Sequence, residues 1–258
     1  MVARVSAVKG RLLPRGWLDV LRQLALFGAV YLAYRLVRVL AEGDGTAAFA
    51  HARDLISLER SVHVFVEPSI QAWASGSRLL MRVSSWMYVN AQTTVTLGGL
   101  IYLYVRRNRS FYFVRNMFMI AMAIALIGYW VYPTAPPRLM PEWGFTDAIS
   151  QFLVGSTGHI DNGPGSALLN MYAAVPSMHV CFAVIVGWSM ARLVSHRAAK
   201  IAWSLYPLLV TFVVVATGNH YLTDVFLGVL TAGVSALLAQ RLLARARPDV
   251  WAFGQAAA

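Results

Sequence analysis

Charge is scarce in this chain: 13% of its 258 residues are Asp, Glu, Lys or Arg, where a soluble domain carries roughly a quarter. Lysine is almost missing, with Lys9 and Lys200 against 20 arginines. One cysteine, Cys181, is present, which excludes an intramolecular disulfide and any multi-cysteine metal site. Repeats and low-complexity tracts are absent apart from a short terminal "GQAAA". What fills the chain instead is apolar: 58% of residues are hydrophobic and the mean hydropathy is +0.58. Several runs approach the roughly 20 apolar residues that cross a bilayer as a helix. The composition therefore predicts an all-α integral membrane protein with one membrane domain.

The apolar runs place six spans at about 18–41, 83–105, 111–132, 177–194, 200–217 and 220–240. The net charge of +11 does not point to nucleic acid, because the arginines cluster in short loops between these spans. Arg4, Lys9, Arg11 and Arg15 precede the first span. The "RRNR" link at 106–109, the 192–200 link and Arg241, Arg245 and Arg247 supply the other basic segments. With six spans all four fall on one side, so both termini are expected in the cytoplasm and the 133–176 loop outside. The first span reads as retained rather than as a cleaved signal, since Arg35 and Arg38 interrupt its end. The expected division is a cytoplasmic arm at 1–17, a membrane catalytic domain at 18–246 and a cytoplasmic tail at 247–258.

Segment 42–82 breaks the charge rule by carrying Arg53, Arg60, Arg78 and Arg82 outside. Leu55, Leu58, Val62, Phe65 and Val66 recur there at helical spacing. They predict an extra amphipathic helix at the outer interface, ended or kinked at Pro68.

Topology then brings chemistry together. Spans four and six both begin at the outer face, so His179, His220 and Asp224 share a depth there. The third span ends at the same face and runs into "YPTAPPRLMP", which delivers Arg138. His220 and Asp224, four residues apart, are expected on one helix face. The carboxylate can fix the imidazole tautomer and leave the other nitrogen free to attack. A metal set with His179, two histidines and one carboxylate, is the alternative; a polar pair holding helices together is another. In "AAVPSMHV", Pro176 suits a first helical turn. Ser177 offers a hydroxyl and exposed N–H groups at the positive end of a helix, a natural anion site, and His179 can protonate a leaving oxygen. Arg138, after three prolines that hold the chain extended, brings a planar donor fork for phosphate. Together the four groups describe phosphoryl transfer without a metal or other cofactor.

The arrangement resembles the type 2 phosphatidic acid phosphatase superfamily, whose motifs are K-x6-R-P, P-S-G-H and S-R-x5-H-x3-D. Here "PTAPPRL", "VPSMH" and "TGNHYLTD" stand in those places. The resemblance implies a phosphatidic-acid-phosphatase-like bundle, with His220 as nucleophile forming a phosphohistidine, Asp224 as its orienter and His179 as general acid. It also implies that Arg138 and Ser177 contact phosphate. The departures are specific: Val131 stands at the lysine position, Val214 at the third motif's arginine, Met178 at the glycine, and no proline follows Arg138. Two family cations are thus missing, and Arg60, Arg78 and Arg82 are candidates to replace them. The motif style is closest to the inositol phosphorylceramide synthase-like branch, where an alcohol rather than water can accept the phosphoryl group.

His159, Asp161, Asn170, Asn219 and Tyr221 are further candidates for headgroup contact. His51, His63 and His196 read as interfacial bystanders, Asn90 and Gln92 as helix–helix contacts, and Cys181 as packing. The expected function is phosphoryl transfer on a lipid phosphate or phospholipid at the outer face of the cell membrane. It is either hydrolysis or transfer of a phospho-headgroup to an alcohol acceptor. A non-catalytic lipid carrier or transporter that binds phosphorylated headgroups is the alternative.

Overall fold

The computed structural model describes residues 14–41, 45–157, 172 and 174–254. Regular structure among them is entirely helical. In chain order the helices are α1 (Gly16–Ala41), α2 (Gly45–Ser61), α3 (Glu67–Ser75), α4 (Arg78–Trp86), α5 (Gln92–Arg106), α6 (Asn108–Val131), α7 (Ala148–Thr157), α8 (Met178–Leu193), α9 (Arg197–Ala216), α10 (Leu222–Leu238), α11 (Ala244–Ala246) and α12 (Pro248–Trp251). A π-turn at Met87–Ala91 joins α4 to α5 without a break, and another at Ala239–Leu243 joins α10 to α11.

Among the described residues three helices are long and apolar enough to cross a membrane: Asn108–Val131, Arg197–Ala216 and Leu222–Ala246; Met178–Leu193 is a shorter apolar helix. α6 is the central one. Phe111, Val114, Met117, Phe118 and Ala121 bury one side of it against Cys181, Ile185 and Met190 of α8. The outward faces are apolar as well: Leu205 and Leu208 on α9, Phe226 and Leu230 on α10, and Ile127 and Trp130 on α6 are all exposed. In water such a surface would drive association. A membrane protein has lipid against it.

Helices α1, α4–α5, α6, α8, α9 and α10 lie at the six expected runs to within a few residues, and three of them have the length and apolarity of a membrane crossing. Segment 42–82 differs from expectation. It folds into α2 and α3, separated by a break at Val62–Val66, instead of one amphipathic helix. His63 in that break has a positive φ of 60°, and Pro68 opens α3 rather than ending a helix. Leu58, Val62 and Val66 are exposed, while Ala48, Ala52, Leu55, Ile56 and Glu59 are buried. A helical period cannot be carried past Ser61, because the residues beyond it are no longer on that helix.

Two glycines set the approach of the elements that matter most. Gly218, between α9 and α10, has φ +68°, and a Cβ there would lie 2.6 Å from the Gln71 side chain. Gly228, one turn beyond Asp224, lets α10 reach the start of α8, where a Cβ would lie 2.5 Å from the Ser177 carbonyl oxygen. The Ser177 N–H donates to the Asp224 carbonyl at 3.1 Å in the same place. α8 and α10 therefore meet at their N-termini, and that junction holds the polar residues.

Candidate active site

α8 begins with Ser177 as its N-cap, the hydroxyl accepting from the Val180 N–H at 3.4 Å. Pro176 lies before the cap, not in the first helical turn as expected. His179 is the second residue of α8. α10 begins with Tyr221 at its N-cap, so His220 precedes the helix and Asp224 sits at its third position. The two do not face each other as i and i+4 of one helix. They meet through a cap: the Tyr221 N–H donates to Asp224 Oδ2 at 3.0 Å, and His220 Nδ1 lies 3.3 Å from that same oxygen. Satisfying an orphan N–H with a first-turn carboxylate thus aims the carboxylate at the ring before it.

On the other side of the ring, His220 Nε2 lies 3.4 Å from His179 Nδ1, with ring centroids 5.5 Å apart. Asp224, His220 and His179 therefore stand in series and do not converge on one point. Among the described residues no group of three or more His, Cys, Asp and Glu is placed to hold a metal ion. Asp224 is fully buried and His220 nearly so. With Nδ1–H donating to the carboxylate, Nε2 keeps its lone pair on the side of His179.

Arg138 comes from the proline-rich loop. Its N–H donates to the Gly218 carbonyl at 2.6 Å, and its guanidinium Nη1 donates to Asn219 Oδ1. Asn219 is held in turn by donation from Nδ2 to Thr217 Oγ1 at 2.8 Å. His51 anchors the loop from α2, with Nδ1 donating to the Pro133 carbonyl at 2.7 Å and its ring stacked on Tyr132 at 3.9 Å. Sequence reading had taken His51 for a bystander.

These groups open onto one cavity of about 520 Å³, lined at one end by Arg138, His179, Asn219 and His220. It runs between α1, α5, α6 and α8 to Phe27, Leu97, Leu100 and Phe118. Gln92, Thr93 and Thr96 add polar atoms along α5. Its shape, a charged mouth with an apolar body, suits an amphiphile. Tyr88, on the π-turn before α5, stacks on His179 at 4.4 Å and 20°, and its backbone hydrogen-bonds the His179 ring. Such π-turns recur at functional sites.

Of the expected site residues, His179, His220, Asp224, Arg138 and Asn219 are thus brought together. Ser177 is beside them but fully buried, with its hydroxyl taken up in capping. Tyr221 is placed away from the cavity: it is fully buried among outer-segment residues and its hydroxyl donates to the Ala135 carbonyl at 3.2 Å. His159, Asp161 and Asn170 lie outside the described residues. Val131 is exposed on α6, and Val214 is buried, beside the site, where its carbonyl accepts from the Asn219 N–H. Arg78 and Arg82 are exposed, Arg60 lies over the Trp143 ring at 5.3 Å, and none of the three lines the cavity.

Two residues escaped sequence reading altogether. Glu67 Oε1 accepts from the Leu222 N–H at 2.8 Å, and Glu59 Oε1 from the Thr223 N–H at 2.7 Å. Both carboxyls are buried. A signal existed: Glu59 follows Leu55 and Ile56 at helical spacing, a carboxylate on an otherwise apolar face.

The site combines buried histidines in series with an arginine that lines an apolar cavity, in a frame that is helical among the described residues. The sequence model of the PAP2 superfamily matches residues 53–238, and the chain belongs to that superfamily. Phosphoinositol dihydroceramide synthase of Bacteroides thetaiotaomicron is 26% identical over 151 residues, covering 52% of this chain and 47% of that protein. The chain thus spans about half the length of this curated relative. No solved structure matches it.

Proposed function

We propose that this chain is a six-span enzyme of the cell membrane that transfers a phosphoryl group from a lipid phosphate through a phosphohistidine at His220. The observation that carries the reading is the His220 ring, held by Asp224 on one nitrogen and turned with the other to His179, beside a cavity that Arg138 lines. His220 Nε2 attacks phosphorus and the phosphate–oxygen bond to the leaving group breaks. His179 protonates the departing oxygen, and Asp224 stabilises the charged ring. Arg138 and the N–H groups at the start of α8, which have no intrahelical acceptor, balance the equatorial oxygens. In-line displacement sets nucleophile and acid on opposite sides of phosphorus, so the 3.4 Å approach of the two rings opens when phosphate enters. The reading needs no metal, because these donors supply the positive charge.

In a second step water or an alcohol takes the phosphoryl group from His220, with His179 now accepting its proton. The similarity to a synthase and the apolar cavity favour an alcohol as acceptor. Under the positive-inside pattern both termini are cytoplasmic and the site faces outward.

The test is purified protein in detergent, without added metal, given radiolabelled lipid phosphates and then quenched. Acid-labile label on the wild type and none on His220→Ala supports the mechanism. Adding alcohol acceptors separates transfer from phosphate release. Lipid binding without label on any variant would favour a non-catalytic carrier.

A further inference from the structure

α10 starts badly for a helix that must hold a reactive pair. Its N-cap residue is Tyr221, whose side chain satisfies no first-turn N–H by the usual Ser, Thr, Asp or Asn route. The donors are satisfied from elsewhere: Asp224 takes the Tyr221 N–H, Glu67 the Leu222 N–H and Glu59 the Thr223 N–H. Glu59 comes from α2 and Glu67 from α3, so two helices outside the proposed spans grip two consecutive residues, Leu222 and Thr223, just behind His220. We propose that Glu59 and Glu67 are positioning residues for the reaction, a carboxyl pair that fixes the first turn of α10 and thereby the His220–Asp224 geometry. The inference rests on the phosphoryl-transfer reading of that site.

The arrangement is costly, which argues that it does more than cap. Among the described residues no lysine, arginine or histidine forms an ion pair with either carboxyl. Arg60, next to Glu59 in sequence, turns to Trp143. The titratable groups that face the pair from α10 are Tyr221 and Asp224, and Glu142 faces Tyr221 from the loop side. All are acids, so they repel a second charge. Burial, then the neighbouring Glu59, pushes Glu67 up to about 8. At neutral pH the Glu67 carboxyl therefore keeps its proton. Raising the pH through about 8 removes it and leaves a buried charge beside Glu59, which loosens the grip on Leu222 and Thr223.

The consequence for His220 is geometric. Asp224 Oδ2 serves both the Tyr221 N–H and His220 Nδ1, so a shift of the first turn is passed straight to the ring. Arg138 bonds Gly218 and Asn219, before the turn that the two carboxyls hold, so the phosphate grip is disturbed less than the ring. Loss of the pair should therefore lower kcat and spare KM.

The experiment combines turnover with a readout that needs none. Nitrogen-15 histidine labelling, with the His220 signal assigned by its loss in His220→Ala, reports solvent exchange of the His220 Nδ1 proton. Glu59→Ala is expected to lower kcat about 10- to 100-fold, as misplacement of a reacting group does, with KM within about twofold and faster Nδ1 exchange. Glu59→Gln, which keeps an acceptor oxygen, recovers most of both. Glu67→Gln keeps kcat at neutral pH and abolishes its decline above about pH 8. Folded Glu59→Ala and Glu67→Ala with wild-type kcat and exchange would overturn the proposal. If the alanine variants do not fold, an unchanged alkaline limb in Glu67→Gln overturns it instead. If the wild type shows no turnover on lipid phosphates, the phosphoryl-transfer reading falls alone, and the exchange arm still decides positioning.

Discussion

Each end of the bundle buries a polar network, and the two are built differently. At the end where α6 begins, Asp19 of α1 accepts from the Tyr112 hydroxyl at 2.6 Å and the Tyr104 hydroxyl at 3.0 Å. Arg115 donates to Gln23 at 2.9 Å and to Asn116, and Arg15 lies over the Tyr112 ring at 4.1 Å. These groups serve one another, and Arg115, Asp19 and Tyr112 line no cavity described for the chain. At the end where α8 and α10 begin, His220 has one nitrogen on Asp224 and the other on His179, and Arg138, Asn219 and both histidines line a large cavity. Polar residues in an apolar bundle are costly at both ends. Where the donors are largely spent within the protein, the return is a fixed helix. Where a lone pair and a guanidinium are held toward a cavity, the arrangement suits chemistry.

The comparison is broken most directly at the reactive end. His220→Ala is expected to remove at least about 10³-fold of kcat, as loss of a nucleophile does, with an unchanged unfolding midpoint; radiolabel transfer and a thermal melt check both. His179→Gln should cost about 10²- to 10⁴-fold on a lipid phosphate and much less on p-nitrophenyl phosphate, whose leaving group needs no proton. An equal loss on both substrates would sink the acid role. Arg138→Ala should cost about 10²- to 10³-fold, the scale of one lost charge-stabilising donor, with Arg138→Lys recovering only part.

At the opposite end the effect should be on stability. Asp19→Ala strands the Tyr104 and Tyr112 hydroxyls and should cost about 2 kcal/mol, while activity per folded molecule stays near wild type. A loss of kcat larger than the loss of folded protein would mean the two ends are coupled. The smallest effect concerns pH. The Glu67 carboxyl, raised in the folded chain from 4.5 to about 8, binds its proton more tightly folded than unfolded. Its contribution to stability is therefore fully present below about pH 4.5 and lost as pH rises through about 8. Glu67→Gln should flatten that part of the profile in melts recorded from pH 5 to 9.

The apolar runs fixed the helix boundaries to within a few residues, because a long run with arginine at its ends has few other places to sit. His179, His220, Asp224 and Arg138 were legible from shared depth, since each lies at the same end of a run. The sequence could not show how His220 meets Asp224. Spacing by four suggested one helix face, whereas a cap at Tyr221 puts the histidine before the helix and turns the carboxylate back upon it. Ser177 looked free for phosphate because a hydroxyl at a helix start is exposed in isolation; the close approach allowed by Gly228 buries it. Glu59, Glu67 and His51 were invisible as site residues because their partners are between 82 and 164 residues away. Which residues are apolar, basic or reactive, and at which end of the bundle they lie, was thus set by the sequence through the length of a span and the cost of charge in lipid. Which oxygen holds His220, and which acids hold α10 behind it, was decided only when helices distant in sequence packed together, because an unsatisfied N–H accepts whichever carboxyl the fold delivers.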